Sequence, residues 1–151
     1  MKIETLRDVM VWTQQAHQSL SDRLYSNAAG NFDERSKLLL DYLALHEQQL
    51  SNLLRDFELN ADSKALNAYC YEYFSNNIES DIVSGLKLTT ANPEQILSTV
   101  MALHQKIIEL YQQLNDQFES PAASAIIQEL LQLEEHEAMR MTHGSNRLAD
   151  V

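Results

Sequence analysis

Four of the five histidines in this 151-residue chain, His17, His46, His104 and His136, fall at core-facing positions of four different predicted helices. Imidazole is polar and a common metal ligand. A layer of four inside a leucine-rich interior therefore calls for hydrogen-bond partners or a metal ion. Glu47 and Glu137 directly follow His46 and His136 and can rotate inward with them, as further ligands or to orient the imidazoles. Nitrogen and carboxylate donors together suit iron, zinc, manganese or copper better than calcium or magnesium. The expected metal set is His17, His46, Glu47, His104, His136 and Glu137.

Four long helices must carry these side chains. Ile3, Leu6, Met10, Thr13, His17, Leu20 and Leu24 alternate spacings of three and four and predict a helix over about 3–27. After the Asn27-Ala-Ala-Gly30-Asn31 turn, Asp33 caps a second helix over about 33–59. Two inner stripes fit it. One runs Leu39, Leu43, His46, Leu50, Leu53, Phe57, and the other runs Leu40, Leu43, Glu47, Leu50, Leu54, Phe57. Asn92-Pro93 starts a third helix over about 93–119, through Leu97, Val100, His104, Ile107, Tyr111, Leu114 and Phe118. Ser120-Pro121 starts a fourth over about 121–143, with Ile126, Leu130 and Leu133 inside and Gly144 as its stop. The stretch 60–93 has weaker periodicity. It suggests two short helices and carries an aromatic cluster, Tyr69, Tyr71, Tyr73 and Phe74, that would suit a homodimer contact.

Short turns near 31 and 120 make two antiparallel hairpins, and the long middle segment is able to cross the bundle. In an antiparallel hairpin, residues are level when their midpoint falls in the turn. His17 with His46, and His104 with His136, meet that condition. The halves also look alike, since Ala16-His17-Gln18 answers Leu103-His104-Gln105.

Composition narrows the function. With 3 Gly, 2 Pro and 44% hydrophobic residues the chain suits one all-α domain over 1–151. A formal net charge of −11 argues against nucleic acid and anionic membrane partners. A lone cysteine, Cys70, rules out an intrachain disulfide. The charged start Met1-Lys-Ile-Glu-Thr-Leu-Arg-Asp8 lacks the apolar run of a secretory signal, and a cytoplasmic location is expected.

Two hairpins joined by a long crossover, together with Leu133-Glu-Glu-His136-Glu137, resemble the ferritin-like superfamily, including rubrerythrin-like members. In that family helices 1 and 3 each supply a Glu, and helices 2 and 4 each supply Glu-x-x-His. The resemblance implies His17 and His104 in the places of the single glutamates. It implies His46 and His136 as the motif histidines, with Leu43 and Leu133 where the motif glutamates belong. The expected function is a transition-metal-binding four-helix bundle, with iron the first candidate and zinc or manganese next. Iron-dependent oxygen or peroxide chemistry or metal handling would follow. The alternative is a non-catalytic helical interaction module whose core histidines are structural.

Overall fold

The computed structural model describes residues 3–70 and 88–149. Regular structure among them is helical: α1 (Leu6–Gly30), α2 (Glu34–Asn60), the single-turn α3 (Ser63–Leu66), α4 (Pro93–Asn115) and α5 (Pro121–Ala149). The proposed second connector helix, most of the aromatic cluster and with them the expected dimer contact lie outside the described residues.

Each start is fixed by a side chain that satisfies amide groups left open by the first turn. Thr5 and Asp8 form a reciprocal capping box on α1, Asn92 and Gln95 form one on α4, and Asp33 accepts from the Ser36 amide on α2. Ser120 Oγ accepts from the Ala123 amide at 3.4 Å on α5. The turns at 31–33 and 116–120 are short, so α1 with α2 and α4 with α5 form antiparallel hairpins. The register of the first is visible in its cross-links. Ser21 Oγ donates to the Ala44 carbonyl, Gln18 to Gln48 and Ser51 Oγ to the Gln14 carbonyl, numbers falling in one helix as they rise in the other.

The hairpins pack through α2 against α4 and α5. All seven stripe residues of α1 are buried. On α2 the second stripe faces inward, with Leu40, Leu43, Glu47, Leu50 and Leu54 buried while Leu53 is 45% exposed. On α5 the buried residues are Ala123, Ile126, Ile127, Leu130, Glu134, Glu137, Met141 and Ser145, so Ile126, Leu130 and Glu137 are inside as expected, while Glu134 is buried where Leu133 is only half-buried and His136 is exposed.

Gly144 does not stop α5, which continues to Ala149. The glycine serves packing instead, because a Cβ there would overlap the Tyr42 hydroxyl and ring. The chain leaving α3 runs back over the start of α1, where the Leu6 amide donates to the Ala68 carbonyl and the Cys70 amide to the Glu4 carbonyl. Cys70 is buried, and burial first, then the Asp8 charge, push its thiol up to about 11. No helix among the described residues is long and apolar enough to cross a membrane.

Candidate metal centre

Each long helix sends one ionisable side chain to a common point in the core: His17 from α1, Glu47 from α2, His104 from α4 and Glu134 from α5. All four are sealed from solvent, none more than 1% exposed. Their polar atoms form a closed ring. His17 Nδ1 donates to Glu47 Oε2 at 2.6 Å, and His17 Nε2 donates to Glu134 Oε1 at 2.7 Å. His104 Nδ1 donates to Glu134 Oε2 at 3.1 Å, and His104 Nε2 donates to Glu47 Oε1. The two imidazoles lie with centroids 5.2 Å apart and planes at 41°.

This ring fixes the protonation of the metal-free cluster. Each histidine has both nitrogens on carboxylate oxygens, and an ionised carboxylate only accepts. With both carboxylates held ionised, both rings carry two protons, and two imidazoliums balance two carboxylates. Burial alone would lower His17, but Glu134 and then Glu47 outweigh it and hold it near about 9. His104 is likewise held well above its ordinary value against burial, by Glu47 and Glu134. Burial would raise the carboxylates, yet the facing imidazoliums bring both Glu47 and Glu134 down to about 2.

The ring repeats itself. His17 and Glu47 are 30 residues apart, as are His104 and Glu134, and corresponding atoms make corresponding contacts. The shift of 87 positions that carries His17 to His104 and Glu47 to Glu134 also carries Thr5 to Asn92, Asp8 to Gln95 and Asp33 to Ser120. These are the residues that cap the helix starts. The hairpins thus follow one plan, each capped and loaded at matching positions.

Of the residues expected from the sequence, the structure brings together His17, Glu47 and His104. It does not bring in His46, His136 or Glu137. One residue along an α-helix is a rotation of 100° and two residues are 200°. With Glu47 pointing inward, His46 therefore lies on the flank of α2, stacked on Tyr42 at 4.5 Å. With Glu134 inward, His136 lies on the outer face of α5, exposed to solvent. Glu137 is one turn from Glu134 and buried, but it faces Arg140 at 3.2 Å and His46 Nδ1 at 3.8 Å. The expected layer of four histidines is thus a layer of two histidines and two glutamates. Glu134 was missed because His136 and Leu133 on either side set the stripe. The equal spacing of His17 to Glu47 and His104 to Glu134 was the available signal.

The donor set fits a transition-metal ion. One donor atom each from His17, Glu47 and His104 lie within 4.8 Å of one another, and Glu134 bonds to both histidines. The Tyr111 hydroxyl is fully buried two turns after His104, with Thr13 as its polar neighbour. Burial and then the Glu134 charge raise it well above the usual phenol value.

No protein-family profile matches the chain, and no curated protein matches it in sequence. A solved structure does match in three dimensions. It is a protein of Thermotoga maritima assigned as a ferritin-like diiron-carboxylate protein, 14% identical, with a TM-score of 0.57 over 94% of this chain and 95% of that one. The architecture is therefore a ferritin-like helical bundle.

Proposed function

We propose that this ferritin-like bundle binds a transition metal through His17, Glu47, His104 and Glu134, with iron as the first candidate and zinc or manganese next. One observation carries the reading: a ring of four ionisable side chains, one from each long helix, fully buried in an aliphatic core. Removing such charges from water costs several kcal/mol per ion, which their mutual attraction offsets only where geometry and hydrogen bonding are complete. Hydrophobic residues would fill the same volume without that cost. Two imidazoles and two carboxylates are a donor set for divalent first-row metals. The similarity to a structure assigned as diiron-carboxylate supports iron. A bound metal would supply Lewis acidity and, as iron, redox chemistry, so oxygen and peroxide consumption are the activities to assay.

Binding has a proton cost that makes the proposal testable. The imidazoliums must deprotonate before they ligate. Calorimetric titration with ferrous ion without oxygen, in two buffers of different ionisation heat, should show saturable binding with proton release, and the stoichiometry separates one ion from two. Absence of binding by ferrous, zinc and manganous ions would overturn the proposal. A second reading rests on the completeness of the ring, because all eight ring-nitrogen and carboxylate-oxygen atoms are paired without a metal. On that reading the cluster is an electrostatic tie that sets the register of two hairpins.

A further inference from the structure

A second polar site lies beside the buried ring, between α2 and the end of α5. It is a cavity of about 320 Å³ lined by Tyr42, His46, Arg140, His143, Gly144 and Arg147. In a chain of net charge −11, this wall gathers two guanidinium groups, two imidazoles and a phenol. Both arginines act electrostatically on the Tyr42 hydroxyl, so the three groups share one locality. Arg140 is partly engaged by Glu137 at 3.2 Å. His46 Nδ1 is buried without a hydrogen-bond partner. The space also depends on Gly144, since any side chain there would run into Tyr42.

We propose that this cavity binds a small oxyanion with two negative charges. Guanidinium groups recognise carboxylate and phosphate oxygens by paired N–H donors, and the imidazoles add single donors around the same charge, while the Tyr42 hydroxyl donates to the Arg140 carbonyl. The two arginines and two histidines on one wall, with Glu137 as the opposing carboxylate, leave a surplus of donors that an oxyanion of phosphate or dicarboxylate size would use. The site is separate from the buried ring. His46 adjoins Glu47 in sequence, but its ring faces Tyr42 and Glu137.

The test is calorimetric titration of the protein as purified with inorganic phosphate and with malonate, against chloride at matched ionic strength. Wild type should bind at least one of the two, and the tighter one identifies a tetrahedral or a carboxylate ligand. Arg147→Gln alters an exposed side chain, so folding is retained, and it should weaken binding by roughly tenfold or more. Lys106→Gln, an exposed charge on α4, should leave it unchanged. Failure of both anions to bind above chloride would overturn the proposal. So would equal losses in both variants, which would mean long-range attraction only, or full binding in Arg147→Gln, which would place the anion elsewhere.

Discussion

His17 Nε2 lies 2.7 Å from Glu134 Oε1, joining the first long helix to the last across 117 residues of sequence. The contact closes the ring: with His104 Nε2 to Glu47 Oε1 it is one of two that cross between the hairpins, each of which holds its own His–Glu pair.

Glu134 is therefore expected to matter far more than Glu137, one turn away. Glu134→Gln leaves two imidazoliums facing one carboxylate, and breaking a buried pair in this way costs about 3–5 kcal/mol. Glu137→Gln loses a contact to Arg140, which is 57% exposed, and should cost about 1 kcal/mol or less. Urea denaturation of the two variants, metal-depleted, reads the difference. Equal costs would contradict the inward assignment of Glu134.

The pH dependence of the metal-depleted protein follows from the same ring. His17 is held near about 9 from an ordinary 6.5, so its stabilisation is complete below 6.5 and lost as pH rises through about 9. Glu47 and Glu134 are lowered from 4.5 to about 2, so theirs is complete above 4.5 and lost as pH falls through about 2. Unfolding free energy should plateau between pH 4.5 and 6.5 and decline on both sides. A maximum above pH 9 would contradict the doubly protonated histidines.

Gly144→Ala tests a different part of the packing. In an open helix the change would stabilise by about 1 kcal/mol. Here the new Cβ meets Tyr42, and overpacking should destabilise by about 1–3 kcal/mol. Measured against Tyr42→Ala alone, adding Gly144→Ala should no longer destabilise. Thermal melts of the three variants decide it, and stabilisation by Gly144→Ala in the wild-type background would remove the packing role.

Much of this architecture was legible because period and caps agree. The α1 stripe from Ile3 to Leu24 is buried as read, and Asp33, Asn92 and Pro93 mark helix starts where expected. Two parts of the site were less legible, for physical reasons. A helix places Glu47 and His46 only 100° apart, so two stripes on α2 fitted equally until packing against α4 and α5 selected one. On α5 the run Glu134-Glu-His136-Glu137 offers a polar residue at every angle, and only the 30-residue spacing from His104, the same as that from His17 to Glu47, picks Glu134. Gly144 reads as a helix stop because the partner that requires it, Tyr42, sits about a hundred positions earlier in the chain.

The most direct test of the metal centre is the ferrous-ion content of wild type, His17→Ala, Glu134→Gln, His136→Ala and Glu137→Gln after loading without oxygen, removal of free metal and confirmation of folding by circular dichroism. The account predicts that His17→Ala and Glu134→Gln lose most of the bound iron while His136→Ala and Glu137→Gln retain the wild-type amount. Iron lost on changing His136 but kept on changing Glu134 would contradict the buried His–Glu ring as the metal site.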